Sequence, residues 1–450
     1  MPALQLTPWA RVRQEDFGLL FYNARNTRLT FVKSGKRVLP QRSGLEAHAI
    51  EWHGPGDGGT QWRRLMGTLV AKGLAEAPLL PTETPSPTPC PPAPHPCTET
   101  KDMPAKGVET TSYLRAPVNV TWEITNRCDL HCRHCLSAEL RARGGPELDL
   151  AQCEAVLDHL AEVGVFQLNF GGGEPFLRPD FPTILTLARS RGFTSCVSTN
   201  GLALTPSVVD ELVQIQPVYL QVSLDGATAR TNDAIRGAGS FERIMAAIRL
   251  LSQRSYPDFS INTVVTRANF MDIPDLLRLA EDYGARSRLS RFRPSGGARE
   301  CWEELRLSRD LMERLSELLS ARPDIKTGDS FFAISADDRR HLGLNMCGAA
   351  KMTCSIAPDG SIYPCAFLTE ARFLAGHVLD DGSLQRAWRS APVLGELRER
   401  DINSCRACSR FSLCHGGCPA VAYFMTSELG YADPECLQPA ASRPATPRAT

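Results

Sequence analysis

Between residues 118 and 294 short, continuous apolar runs alternate with longer stretches whose apolar positions recur every three to four residues. The runs Val118–Ile124, Phe166–Phe170, Thr194–Ser198, Val218–Leu224, Phe259–Thr266 and Arg288–Phe292 predict strands. The stretches Leu150–Val163, Pro182–Arg191, Pro206–Gln214, Phe241–Ser252 and Ile273–Tyr283 predict the helices between them. Repeated βα units of this kind give an α/β fold on a parallel sheet, closed as a barrel or open and doubly wound. Either way, chemistry belongs in the loops at the strands' C-terminal ends.

The N-terminal region follows a different pattern. Phe17–Tyr22 and Arg28–Val32 are apolar runs joined by a short polar turn, which predicts a hairpin. Helical spacing follows over Gly44–Glu51 and Gln61–Ala75, broken by the glycine-rich HGPGDGG. The expectation is a small docking module over residues 1–80. A proline-rich linker covers 81–112, with eight prolines among the twenty residues 81–100. Such a segment favours polyproline II and can span roughly 60 Å. The tail 437–450 is small and polar and reads as disordered.

Charge and composition exclude more than they assign. Fifty basic residues balance fifty acidic ones in 450, which argues against a nucleic-acid partner. No apolar run reaches the roughly 20 residues of a membrane span, and the N-terminus lacks a signal region, so the chain reads as cytoplasmic with no membrane partner. Sixteen cysteines change the picture. In a reducing compartment, clustered thiols point to metal or cluster ligation rather than to disulfides.

Three of them, Cys128, Cys132 and Cys135, form a C-x₃-C-x₂-C run directly after the first strand. Three thiolates can hold three irons of a [4Fe–4S] cluster and leave the fourth open to a small molecule. A zinc site completed by His131 or His134 is the alternative. Gly172, Gly173 and Glu174 end the second strand, where glycines allow close backbone approach and a carboxylate can accept from an ammonium. Ser198-Thr-Asn200-Gly and Ser223-Leu-Asp225-Gly end the third and fourth. Together, in this order, these segments resemble the radical S-adenosylmethionine (SAM) superfamily, whose fold is a partial (β/α)6 barrel spanning about residues 113–300 here. The resemblance implies that Gly172, Gly173 and Glu174 meet the SAM amino group, that Ser198, Asn200 and Asp225 lie on strand ends facing SAM, and that Ser223 meets its ribose. It also implies that Arg236 meets its carboxylate and that His134 packs near its adenine.

A second field of thiols starts at Cys347 and continues with Cys354, Cys365, Cys405, Cys408, Cys414, Cys418 and Cys436. Its spacing resembles the SPASM domain, an auxiliary-cluster module, placed at 341–436 after a bridging helical segment at 301–340. The resemblance implies two further [4Fe–4S] clusters, three in all: one on Cys347, Cys354, Cys365 and Cys418, the other on Cys405, Cys408, Cys414 and Cys436. Eight ligands suit two fully ligated clusters, and two zinc ribbons remain the alternative. Cys90 and Cys97 in the linker stay unassigned, and Cys153, Cys196 and Cys301 read as packed thiols.

Stretches such as GGGEPFLRPDF, SLDGATARTNDAIRGAGSF, RFRPSG, TGDSFF, CGAAKMTC and the closing ADPEC narrow the resemblance to the mycofactocin maturases. That implies a 5′-deoxyadenosyl radical made from SAM, acting on the C-terminal Val-Tyr of a short precursor peptide. The chemistry implied is oxidative decarboxylation of the Tyr, then a carbon–carbon bond to the Val, with an external flavodoxin- or ferredoxin-like electron donor. The alternative is another maturase of this type forming a thioether or a different crosslink. Residues 1–80 resemble the precursor-binding chaperone of that family, with a winged-helix-like peptide-recognition fold.

Overall fold

The computed structural model describes residues 3–15, 18–25, 28–33, 38–43, 46–52, 59–76, 113–216, 218–327, 347–380 and 383–437. The chain divides into two compact units, 1–111 and 112–450. The linker 81–112 and the tail beyond Leu437 lie outside the described residues, as do Cys90, Cys97 and nearly all of TGDSFF.

In the first unit, β1 (Ala3–Gln5), β5 (Val38–Ser43) and β6 (Glu46–Trp52) form one antiparallel sheet, ordered β1-β6-β5. A second sheet holds β2 (Ala10–Glu15), β3 (Gly18–Asn23) and β4 (Arg28–Lys33) in sequence order. The predicted hairpin is β3 and β4, paired from Gly18↔Lys33 to Asn23↔Arg28. Helix α1 (Gly59–Ala71) lends Trp62 and Leu69 to a core with Leu4, Leu19, Phe21 and Ile50. The helix expected over Gly44–Glu51 does not form, because its residues 46–51 lie in β6, paired on both sides. A helix of that length is marginal alone, whereas a central strand gains two ladders and buries Ala49 and Ile50. The module is therefore richer in strands than its winged-helix-like expectation: six strands and one helix among the described residues.

The second unit is built on β7 (Asn119–Thr125), β8 (Gln167–Gly172), β9 (Thr194–Thr199), β10 (Val218–Ser223), β11 (Phe259–Val265) and β12 (Arg286–Arg291). These six run parallel in sequence order, as a partial barrel requires. Alternate residues face opposite ways. Val120, Trp122, Leu168 and Phe170 point outward into a core with the helices α3 (Leu150–Glu162) and α4 (Phe181–Ser190). The opposite face is a polar lumen, in which Asn169 donates to Asn119 at 2.9 Å and Gln221 to Ser198 at 3.2 Å. The helices α5 (Pro206–Ile215), α7 (Ser240–Gln253) and α8 (Ile273–Asp282) match the expected ones. Helices α2 (Ala138–Arg143) and α6 (Ala229–Arg236) are additions the apolar spacing did not reveal.

The auxiliary region joins the same sheet. β13 (Thr353–Ile356) pairs parallel with β7, and β14 (Ser361–Tyr363) and β15 (Gly376–His377) follow antiparallel. The order β12-β11-β10-β9-β8-β7-β13-β14-β15 makes one nine-stranded sheet. The expected bridge at 301–340 shows α9 (Ala298–Leu305) and α10 (Arg309–Ala321) before the described residues pause at 327.

Candidate iron–sulfur and SAM site

The loop after β7 carries Cys128, Cys132 and Cys135, and it is gripped at both ends by glycines. Gly173 donates to the Thr125 carbonyl at 2.8 Å, and Glu174 N–H to the Arg127 carbonyl at 2.7 Å. A Cβ on Gly173 would stand 1.9 Å from the Arg127 oxygen. Gly172 has φ +114°, and a Cβ there would meet the Thr125 oxygen at 2.5 Å. At the far end Gly297 donates to the Cys135 carbonyl at 2.9 Å, and a Cβ on Gly296 would fall 2.3 Å from the Leu136 oxygen. The paired glycines thus serve the chain's own close packing first.

The three thiols are electrostatic neighbours. Burial pushes Cys132 up to about 11 against the pull of Arg236, with Asp225, Cys135 and Cys128 adding to the rise. Burial likewise raises Cys128, opposed by a backbone N–H and Arg141. Arg236 Nη1 donates to Cys132 Sγ and Arg141 Nη1 to Cys135 Sγ, each at 3.9 Å. The two cations pull toward thiolate, the form that binds iron, but burial outweighs them while no iron is bound. Among the described residues no three His, Cys, Asp or Glu side chains converge on a single ion. Three thiols in one short loop are a donor set that suits a [4Fe–4S] cluster, in which each thiolate takes its own iron.

Around the loop stands a buried ionic group. Asp225 is fully buried, with His134 Nε2 and Arg236 Nε at 2.8 and 2.7 Å from its Oδ2, at ion-pair distance without hydrogen-bond alignment. Burial alone would raise its pKa, but Arg236 and His134 hold it down at about 2. Asn232 fixes the Asp225 backbone at 3.0 Å, and the Arg133 N–H reaches the Ile235 carbonyl at 2.9 Å, tying the loop to α6.

Glu174 is also fully buried, and it links two strand ends. It accepts from Thr199 Oγ1 at 2.8 Å, Asn200 N–H at 2.7 Å and Phe176 N–H at 3.3 Å. Burial nevertheless lifts its pKa to about 7. The Asn200 side chain donates to Asp129 at 2.7 Å, inside the cysteine loop, so its amide is engaged by protein. Ser198 and Ser223 face the lumen, and Ser223 lies level with Asn262 and Arg288 across β11 and β12. The expected SAM residues fall at the C-terminal ends of β8, β9 and β10 and in the cysteine loop, with Arg236 at the end of α6 beside Cys132. Asp129, Gly296 and Gly297 escaped the sequence reading, as did Glu147, which accepts from Thr125 Oγ1 at 2.9 Å and Asn126 N–H at 2.7 Å at the start of the loop. Only the Gly-Gly pair after RFRPS left a signal there.

The auxiliary thiols fall into two sets. Burial pushes Cys365 up to about 12, with Cys347 and Cys418 adding to it, and Cys347 to about 11, with Cys418 adding. Cys405 feels Cys436 and Cys408, and Cys414 feels Cys436. Cys418 thus acts on Cys347 and Cys365 as well as lying near its own sequence neighbours. Cys354 is buried in the core cluster against which Cys365 and Cys418 also pack, and burial pushes its thiol up to about 12. Arg291, buried at the end of β12, forms a two-bond pair with Asp433 at 2.7 and 2.8 Å. Asp433 in turn accepts from Cys418 N–H at 3.2 Å, so this pair fixes the thiol field to the barrel. Of the unassigned cysteines, Cys153 and Cys301 are packed, whereas Cys196 faces the lumen, in register with Asn169 and Tyr219.

A six-stranded parallel half-barrel with three thiols in the loop after its first strand defines a radical SAM enzyme with an auxiliary iron–sulfur domain. Residues 122–280 match the Radical SAM superfamily, and 347–409 match an iron–sulfur cluster-binding (SPASM) domain. The chain is 41% identical to the mycofactocin maturase of Mycobacterium ulcerans over 329 residues, covering 72% of this chain and 89% of the relative. It belongs to the mycofactocin maturase family. A PqqA peptide cyclase from Gluconobacter oxydans is 30% identical over 327 residues, 71% of this chain and 90% of the relative. The fold is that of Streptococcus suis SuiB, crystallised with its precursor peptide SuiA, at a TM-score of 0.68 and 16% identity over 96% of this chain and 99% of that one. Among the described residues no helix is long and apolar enough to cross a membrane.

Proposed function

We propose that the chain is a SAM-dependent maturase of a short precursor peptide. On this reading it oxidatively decarboxylates the C-terminal Tyr and then joins the remnant to the penultimate Val by a carbon–carbon bond. The observation that supports it is the placement of the three-thiol loop, Arg236 and the Glu174–Asn200 link together at one end of a polar lumen. Family membership supplies the substrate class.

When bound, the cluster and SAM supply reductive cleavage of SAM and removal of a hydrogen atom from the peptide. The chain's own residues position and seal. Gly172, Gly173, Gly296 and Gly297 fix the loop that would hold the cluster on Cys128, Cys132 and Cys135. Asp225, neutralised by Arg236 and His134, keeps the guanidinium beside Cys132, where a SAM carboxylate can pair with it. Glu174 keeps one lone-pair position for the SAM ammonium, and Ser223 offers a hydroxyl toward the ribose. The auxiliary thiols would hold clusters that supply redox capacity for the oxidation, and an external flavodoxin- or ferredoxin-like protein would be the electron donor.

Anaerobic incubation of the holoenzyme with SAM, reductant and a peptide ending in Val-Tyr tests the reading. The expected product has lost carbon dioxide and two hydrogens, and Cys128→Ala should give neither it nor 5′-deoxyadenosine. Loss of two hydrogens with the carboxylate retained would indicate a different crosslink and refute the decarboxylation.

A further inference from the structure

The row of lumen residues that starts at Ser223 runs across the sheet to two cations without a counter-charge. Ser223 registers with Asn262 on β11, and Asn262 with Arg288 on β12. Arg288 registers with Lys326, whose backbone bonds to Ser287 and Leu289 as one further parallel rung. Registered residues in parallel pairs face the same way, so Arg288 and Lys326 share the lumen face with Ser223. Tyr219 and Cys196 face it as well, in register with each other. The Lys326 ammonium lies 5.5 Å from the centre of the Tyr219 ring, and the Arg286 guanidinium 5.9 Å from it.

Charge does not balance in this corner. Arg286, Arg288 and Lys326 have one carboxylate among them, Asp258, which pairs with Arg286 at 2.9 Å. Three cations against one acid leave an excess of two positive charges. Cys196 and Tyr219 supply no negative charge, since burial raises both, the thiol to about 12. Burial, Arg286 and Arg288 together hold the Lys326 ammonium below its ordinary value, against the pull of Asp258. Elsewhere in this unit the buried Arg178, Arg236 and Arg291 each stand against a carboxylate. Arg288 and Lys326 form no ion pair among the described residues, and Arg288 Nε is buried without a hydrogen-bond partner. A buried cationic donor left unmatched is costly unless an anion arrives to match it.

We propose that Arg288 and Lys326 bind the free C-terminal carboxylate of the precursor peptide and so fix the position of its last residue in the lumen. The inference rests on the reading of a C-terminal Tyr as the residue that reacts. A guanidinium can grip a carboxylate through two parallel bonds, and an ammonium adds a point charge beside it. Neighbouring strands lie about 4.8 Å apart, so Arg288 stands two strands, roughly 10 Å, from Ser223. On the same reading Ser223 meets the ribose of SAM, and the hydrogen to be removed lies two bonds from the carboxylate carbon. One terminal residue held at Arg288 is then near enough to reach the ribose. A peptide acid satisfies this pair of cations, whereas a peptide amide leaves them unmatched.

The test measures binding of two short peptides to the cluster-loaded full chain with SAM, anaerobically and without reductant, so that nothing turns over. Both peptides end in Val-Tyr, one as the acid and one as the amide. The wild type should prefer the acid by about tenfold to a hundredfold, the loss expected when a hydrogen bond to a charged group goes unmade. Arg288→Gln and Lys326→Met should each shrink that ratio, and the double change should bring it close to one, with binding of the amide little altered. Arg288→Lys should keep part of the preference. The readout is a ratio within one variant, so a general loss of stability, followed by circular dichroism and iron content, does not imitate the result. Should Arg288→Gln fail to fold, Lys326→Met and Arg288→Lys carry the test. Equal binding of acid and amide by the wild type would overturn the proposal, and so would a preference that survives in the double variant. If the wild type binds neither peptide, the maturase reading fails and this inference with it, an outcome distinct from the other two.

Discussion

Glu174 shows how burial sets chemistry at one residue. A fully buried carboxylate with three protein donors stays near the border of ionisation, at about 7 instead of its ordinary 4.5, because burial outweighs those hydrogen bonds. A SAM ammonium beside it would favour the ionised form. Proton and ammonium then compete, and because the proton is held below about pH 7, SAM affinity should fall as pH falls through that value. The limit is about tenfold per pH unit for one displaced proton. Calorimetric titration of the cluster-loaded enzyme with SAM at pH 6 and pH 8 measures it, and Glu174→Gln should flatten the difference. An unchanged profile in the variant would assign the pH dependence elsewhere. Asp225 behaves in the opposite way, since Arg236 and His134 beside it hold it down at about 2, ionised throughout this range. The type and position of both acids were legible from GGEP and SLDG, but the Asp225–Arg236–His134 group was not. Those residues are up to about 100 positions apart in sequence, and nothing in local spacing brings them together.

At the scale of elements, the alternation of apolar runs and helical spacing was enough to place six strands and five helices, because each buries an unbroken face. It failed where length and context decide. Glu46–Trp52 has helical composition, yet two flanking strands make it a strand. Cys354 has ligand spacing, and the register sets it opposite Val120 in the core, a position the spacing did not reveal. The cysteine loop is an element of its own, shaped by glycines on both sides. Gly173→Ala forces a Cβ to 1.9 Å from the Arg127 oxygen, one residue before Cys128, so that loop must move. The expected result is loss of about four irons per chain and of SAM cleavage, with the auxiliary clusters retained. Gly67→Ala is the control. Its Cβ meets nothing within 4 Å, and in mid-helix it should stabilise the first unit by about 1 kcal/mol. Full iron content in Gly173→Ala would show that the grip is not needed.

At the scale of the whole molecule, two compact units share one chain. The first has no residue assigned to a cluster or to SAM. If it captures the precursor, deleting residues 1–111 should raise the apparent KM for peptide and leave SAM cleavage intact. Supplying it as a separate chain should rescue only at high concentration, because tethers give effective concentrations on the order of millimolar. β4 is the outer strand of its sheet, and a peptide can add a strand there. An unchanged KM after deletion would assign the unit another role. The hairpin was legible from its turn, while the two-sheet build was not, because strands as short as Ala3–Gln5 leave no period to read.

The β7–β13 pairing also decides where this protein could be divided between genes. A break in the linker 81–112 separates two units that each keep their own strands paired, so either half could be encoded and inherited alone. A break between β12 and β13 would strip β7 of its partner and leave a bare edge beside the cysteine loop, while the other fragment would lose the strand that β13 is zipped against. The barrel and the auxiliary field should therefore travel through evolution as one indivisible piece, with the first unit free to come and go.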